Sequence, residues 1–231
     1  MDAPLSAALE ALEEQARKHA GEFSLRADAS GVEVASIAPA LRFHHSFICG
    51  AVARRATQTS QLLLKACNNK QRSIHRILDV TAGWGIDSFV LASHGREVTL
   101  LEQNEMLFAV VACSLKILAA DAKEVADRMR IVNVDANRFL QTLDDANGYD
   151  CIYLDPMFDA HKSGAKPAKE MQLLQAITSN VDIEACFESA LSKAGKRVVV
   201  KRSAKAEALC GLKPDLSYRS KTVRFDIYLT A

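Results

Sequence analysis

No apolar run in the 231-residue chain reaches the roughly 18 residues that a helix needs to span a bilayer, so no transmembrane helix is expected. The opening Met1-Asp2-Ala3-Pro4 also lacks the basic-then-apolar order of a secretory signal. The six cysteines stand apart at 49, 67, 113, 151, 186 and 210, with no C-x-x-C pair. That spacing argues against a disulfide framework or a zinc site. Small buried side chains in a reducing cytoplasm account for them better, and the expected location is cytoplasmic. The six histidines show no ligand spacing, His44-His45 being the only adjacent pair, so no metal is expected. Repeats, low-complexity tracts and long Pro/Gly linkers are missing too. What remains is an ordinary globular composition, 49% hydrophobic and 25% charged, long enough for one sizeable core.

Net charge is the last thing in short supply. With 29 basic and 28 acidic residues the formal total is +1, which argues against a uniformly basic polyanion binder. The total conceals a division, because residues 1–35 carry −4, residues 36–78 carry +7, residues 79–195 carry −8 and residues 196–231 carry +6. An acidic centre between basic flanks suits a protein that holds a compact ligand centrally and meets a polyanion at its edges. A scatter of solvated charges reads the same way in one dimension.

Along the chain, Leu5, Leu9, Leu12 and Ala16 recur at helical spacing after Pro4, and Gly21 ends that helix. Phe23–Arg26 and Val32–Ser36 read as short strands, and Ala51–Ala66 as a helix. From residue 76 the texture becomes strand–helix alternation. Strands are expected at Arg76–Val80, Val98–Leu101, Arg130–Val134, Cys151–Leu154 and Arg197–Lys201. Helices are expected at Asp87–Ser93 and from an Asn104 cap to about Ala120. This is the pattern of an α/β, doubly wound, mostly parallel sheet, and Val223–Leu229 can add to it as an antiparallel strand. In such a fold the ligand lies at the carboxyl ends of the strands.

Four motifs fall at those ends. Asp79-Val80-Thr81-Ala82-Gly83-Trp84-Gly85-Ile86-Asp87 is a glycine turn between a strand and a helix, where Gly83 and Gly85 permit positive φ and close approach of a ligand. It lacks the third glycine of a dinucleotide fingerprint, and its flanking acids suit a cationic ligand better than a pyrophosphate. Glu102, followed by Gln103, ends the second strand 19 residues after Gly83, where an acid accepts from both hydroxyls of a ribose. Asp135, followed by Ala136, ends the third strand. It fits an acceptor for an adenine amine and a helix N-cap equally well. Tyr153-Leu154-Asp155-Pro156-Met157-Phe158 ends the fourth. Asp155 and a carbonyl beside Pro156 can accept both hydrogens of an exocyclic amine, while Phe158 stacks on the base.

Together with Lys169–Met171, Lys196–Arg202 and Arg224–Tyr228, these motifs resemble the RsmJ (YhiQ) family over residues 76–231. The resemblance implies a Rossmann-like class I methyltransferase that uses S-adenosylmethionine to modify N2 of a guanine in small-subunit ribosomal RNA. It implies cofactor contacts at Ile86, Asp87, Glu102, Gln103, Asp135, Ala136 and Asp155. The family usually has arginine at the positions of Ile86 and Gln103, and two serines at those of Asp135-Ala136. Its upstream glycine-rich stretch is reduced here to Phe47-Ile48-Cys49-Gly50, with Arg54-Arg55 following.

On this reading residues 76–231 are the methyltransferase domain and residues 1–75 a small α+β extension packed on it. Arg54, Arg55, Lys196, Arg197, Lys201 and Arg202 are candidates for contact with RNA phosphates, although Lys201-Arg202 equally suits a solvated strand end. The partner is small-subunit ribosomal RNA or the 30S subunit. Competing readings are an amino-group methyltransferase for another RNA or DNA base, and a non-catalytic nucleic-acid-binding module that keeps the fold.

Overall fold

A computed structural model describes residues 3–58, 61–68, 73–144, 148–156, 167–178 and 181–230. The chain opens with α1 (Ala3–Lys18), followed by β1 (Phe23–Asp28), β2 (Gly31–Ser36) and β3 (Leu41–His45), which form an antiparallel sheet in that order. Helices α2 (Gly50–Gln58) and α3 (Gln61–Ala66) then lead into the strand–helix alternation. Its elements are β4 (Arg76–Asp79), α4 (Ile86–Ser93), β5 (Glu97–Glu102), α5 (Glu105–Asp121), α6 (Lys123–Asp127), β6 (Met129–Asn133), α7 (Ala136–Gln141) and β7 (Cys151–Leu154). Helices α8 (Lys169–Ile177) and α9 (Ile183–Lys193) precede β8 (Arg197–Ser203), β9 (Leu216–Arg219) and β10 (Val223–Leu229).

The large sheet runs β6-β5-β4-β7-β8-β10-β9. Neighbours are parallel from β6 through β8, and β10 is antiparallel to both β8 and β9, so β10 alone is reversed in direction. The strand order reverses beside β4, where β5 lies on one side and β7 on the other, which opens a crevice at their carboxyl ends.

Period-two alternation explains why the sheet is covered twice. Ile77, Cys151, Tyr153 and Val199 face a core built with α3, α4 and part of α5, including Phe89, Val90 and Leu115. Leu78, Ile152, Leu154, Val198 and Val200 face the opposite core with Leu140, Phe187 and Ala190 of α7 and α9. A third core joins the first sheet to the rest. Leu12 of α1 and Val32 and Val34 of β2 pack with Leu107, Val110 and Cys113 of α5.

Of the helix expected over 51–66, the described residues on either side of 59 and 60 are helical, in α2 and α3. Two features depart from the sequence expectation. Strand β3 was masked by Arg42 and His44. They are its outward residues, while Leu41, Phe43 and His45 turn inward with period two. Strand β9 is short and mostly exposed, so it shows no alternation to read.

Trp84, the chain's single tryptophan, is 4% exposed in the core that joins the first sheet to α5, and so reports on that junction. Leu107→Ala is expected to lower unfolding free energy by about 2–5 kcal/mol. Tryptophan fluorescence and far-ultraviolet dichroism should follow one coincident urea transition in wild type. Separate transitions would show that the first sheet folds apart from the main one.

Candidate active site

The carboxyl ends of β4, β5 and β7 bring the strand-end acids together. The turn after β4 is made by Gly83 and Gly85, at φ +51° and +67°. A Cβ at Gly85 would lie 3.1 Å from Leu100 Cδ2 of β5, and one at Gly83 would lie 3.4 Å from Leu174 Cδ2 of α8. These glycines therefore serve the turn's handedness and its packing on neighbouring elements.

Glu102 links the turn to β5. Its Oε2 accepts from the Gly83 amide at 3.0 Å and its Oε1 from the Asn104 amide at 2.8 Å. Burial nevertheless outweighs these bonds and raises its carboxyl to about 7. A buried acceptor held short of its capacity, beside a glycine turn, fits the paired hydroxyls of a ribose. Gln103 follows at the strand end, half-buried, and its carbonyl accepts from Asn133 Nδ2 at 3.2 Å. Asp79 is 2% exposed, accepts from the Ser88 hydroxyl at 2.6 Å and the Thr81 amide at 3.1 Å, and burial raises its carboxyl to about 7 as well. Ile86 packs against the core between α4 and α5.

Asp135 acts as the N-cap of α7, its Oδ1 accepting from the Arg138 amide at 2.9 Å, and Ala136 behind it is buried. Of the two roles open to Asp135 in the sequence, the geometry displays the cap.

The densest constellation surrounds the end of β7. The Asp155 amide donates to Thr81 Oγ1 at 2.6 Å, pinning the strand end to the glycine turn. Lys201 Nζ donates to Asp155 Oδ2 at 2.8 Å and to Asp87 Oδ2 at 2.7 Å, and the Tyr153 hydroxyl donates to the same Asp87 oxygen at 2.6 Å. Burial opposes ionisation of Asp87, but Lys201, the Tyr153 hydrogen bond and the nearby Arg55 charge outweigh it and hold the carboxyl below its usual range. Asp155 moves the other way. Burial raises it, Lys201 offsets part of that, and the Asp87 charge adds to it. Pro156 is buried directly after Asp155; Phe158 lies outside the described residues.

Three of the basic candidates are corrected by their placement. Arg197 is 4% exposed and donates from Nη1 to the carbonyls of Ala66 and Asn68 at 2.8 and 2.7 Å, so it ties α3 to the sheet. Lys196 pairs with Asp150 at 2.6 Å at the amino end of β8, the opposite edge from the strand-end acids. Lys201 turns between two carboxylates. Arg202 donates to the Glu207 carbonyl at 3.1 and 2.8 Å, and Arg55 reaches Glu170 at 3.2 Å. Arg54 is exposed on α2.

Sequence reasoning missed Thr81 and Tyr153 as partners of the acids, and it missed His45 altogether. His45 Nε2 donates to the Trp84 carbonyl and Nδ1 accepts from the Ser114 hydroxyl, each at 2.7 Å, so β3 is fastened to the glycine turn. Burial pushes this imidazole down to about 4. The legible signal for Tyr153 was its place two residues before Asp155; His45 carried none beyond the inward period of β3.

These shifts set a pH dependence. Asp79 and Glu102 bind more protons folded than unfolded between roughly pH 4 and 7, so their contribution to stability is lost as pH rises through about 7. His45, with its folded value lowered, loses stability in the other direction, as pH falls from about 6.5 toward 4. Between pH 8 and 6 the two carboxyls dominate. The ligand-free protein should therefore melt at a higher temperature at pH 6 than at pH 8, by scanning calorimetry, and Glu102→Gln should flatten that rise. A wild-type melting temperature unchanged or lower at pH 6 would contradict these positions.

A family model described as "Putative SAM-dependent methyltransferase" matches residues 11–230. Ribosomal RNA small subunit methyltransferase J of Thioalkalivibrio sulfidiphilus is 40% identical over 190 residues, covering 80% of this chain and 74% of that protein. The protein of the same name from Hydrogenovibrio crunogenus is 42% identical over 158 residues, covering 66% of this chain and 56% of its own length. Among solved structures, the SAM-dependent methyltransferase NGO1261 of Neisseria gonorrhoeae superposes with a TM-score of 0.70 at 28% identity, covering 90% of this chain and 83% of that one. With its reversed strand β10, its glycine turn and its strand-end acids, this chain belongs to the S-adenosylmethionine-dependent methyltransferase family that includes ribosomal RNA small subunit methyltransferase J.

Proposed function

We propose that this methyltransferase acts on the exocyclic N2 amine of a guanine in small-subunit ribosomal RNA. The observation that carries the proposal is the placement of Asp155. Its amide is pinned by Thr81 and its Oδ2 is engaged by Lys201, while the side chain remains 33% exposed at the mouth of the crevice. Among the described residues Oδ1 accepts no hydrogen bond, which leaves an oxygen for an amine. The names of the relatives supply the class of RNA.

S-adenosylmethionine, when bound, supplies a methyl group on a sulfonium. The residues that would hold it are Glu102 for the ribose, whose buried carboxylate keeps acceptor capacity, with the glycine turn, Ile86, Asp87, Gln103, Asp135 and Ala136. The substrate amine needs orientation more than strong base chemistry, because its lone pair is delocalised into the ring. Asp155 Oδ1 and a carbonyl beside Pro156 accept its two N–H groups and turn the lone pair toward the methyl. Methyl transfer would make that nitrogen cationic, so both acceptors would bind it more strongly than the neutral amine. Asp155 then takes the surplus proton. Phe158 stacks on the base, which must leave its pairing partner to react. Arg54, Arg55 and Arg202 are the proposed phosphate contacts, Arg55 lying close enough for its charge to act on Asp87.

Asp155→Ala should lower methyl transfer to unmethylated 30S subunits by at least about 1,000-fold while the cofactor dissociation constant stays within about tenfold. Digestion of the RNA and nucleoside mass spectrometry should show N2-methylguanosine as the wild-type product. A methylated adenosine, or a fully active Asp155→Ala, would overturn the assignment.

A further inference from the structure

The sequence places Lys201 beside Arg202 in a basic run, and a phosphate contact is the natural reading. Its position in the sheet says otherwise. The β7–β8 ladder ends with Leu154 opposite Val200, so Lys201 stands level with Asp155 at the carboxyl edge. One ammonium there is shared by two carboxylates, Asp155 Oδ2 at 2.8 Å and Asp87 Oδ2 at 2.7 Å. Lys201 and Asp87 are each about three-quarters buried, with side-chain exposures of 25% and 24%.

We propose that Lys201 is a positioning residue for methyl transfer, which fixes Asp155 through Oδ2 and bridges it to Asp87. This rests on Asp155 being the acceptor for the substrate amine.

Two features of the geometry favour this role over a purely structural ion pair. Lys201 occupies Oδ2 alone, so the ammonium selects which Asp155 oxygen faces the crevice. Lys201 also separates two acids that would otherwise repel each other at close range, and a pair of unscreened carboxylates shares a proton. A protonated Asp155 could still touch the amine, but it could not accept a proton from the methylated product.

The charged and titratable groups around the ammonium come from several elements. Asp87 is on α4, Tyr153 and Asp155 are at β7, and Asp79 ends β4. Arg55 of α2 and Cys67 also lie within electrostatic reach of Asp87. The β10 residue paired with Lys201 is Phe225, which carries no charge. Lys201 itself is raised above the ordinary lysine range, since the two carboxylates outweigh its burial, so it stays cationic throughout the working range. Asp155 is the group whose charge its loss would alter.

The test is a pH–rate profile of single-turnover methyl transfer to 30S subunits at saturating S-adenosylmethionine. Lys201→Met should lose about 100-fold or more at pH 7, and its acidic limb should move upward by at least one pH unit. Lys201→Arg should restore most of the limb's position, because the charge returns. Asp87→Asn added to Lys201→Met should move the limb back down by removing the repelling charge, whatever it does to cofactor affinity. Lys201→Met with an unshifted limb and the same loss at every pH would overturn the inference and leave a merely structural lysine. Retained activity in Asp155→Ala would instead overturn the reading on which it rests. Circular dichroism of each variant separates these outcomes from misfolding, and the arginine variant keeps the test open if the methionine variant does not fold.

Discussion

Like charge gathered at one edge of a parallel sheet is the constraint that shapes this protein. Asp79, Asp87, Glu102 and Asp155 all lie at or next to the carboxyl ends of β4, β5 and β7, and none is freely solvated. Two carboxylates at about 5 Å repel by about 3 kcal/mol at an effective dielectric of 20. Burial is the larger force against ionisation of all four, with repulsion from neighbouring carboxylates adding to it at Asp79 and Asp155, and the site supplies donors against both. Backbone amides of the glycine turn and the α5 cap serve Glu102, Ser88 and Thr81 serve Asp79, and Lys201 with Tyr153 serves Asp87 and Asp155. The donors are unequal. Asp87 is held ionised, whereas burial moves the Asp79 and Glu102 carboxyls up to about 7.

The rest of the molecule holds these donors still. The alternation that buries both faces of β4, β7 and β8 fixes the heights of Asp79, Asp155 and Lys201 relative to one another. Trp84, inside the glycine turn, is held by His45 from β3 and donates from Nε1 to the Glu170 carbonyl at 3.0 Å. The first sheet is thereby connected to the turn that supports Glu102. Arg197, read at first as an RNA contact, closes the lower edge by tying α3 to β8.

Much of this was legible in one dimension because it is local. The strand–helix alternation, the Asn104 cap, the reversed β10 and the acids at the strand ends depend on periods of two and 3.6 and on turn chemistry within a few residues. What was not legible depends on which strand lies beside which. Lys201 changes from a surface cation to a bridge between acids only because β8 neighbours β7 and α4 overlies that edge. Arg197 points inward because carbonyls of α3 end beneath it. β3 hid because its outward residues are polar and its innermost one is a histidine. The segmental charges of +7 and +6 suggested basic flanks, yet Arg197 and Lys201 are engaged inside the fold and Lys196 pairs with Asp150 at the other end of β8.

The central claim is that these acids sit in unequal protonation states, set by the donors each one has. Carbon-13 NMR titration of the aspartate and glutamate carboxyls in the ligand-free protein tests it most directly, with Asp→Asn and Glu→Gln variants for assignment. The account predicts that Asp79 and Glu102 titrate at about 7, and Asp87 below the ordinary aspartate range. All three titrating together at about 4, the value of a solvated carboxyl, would contradict it.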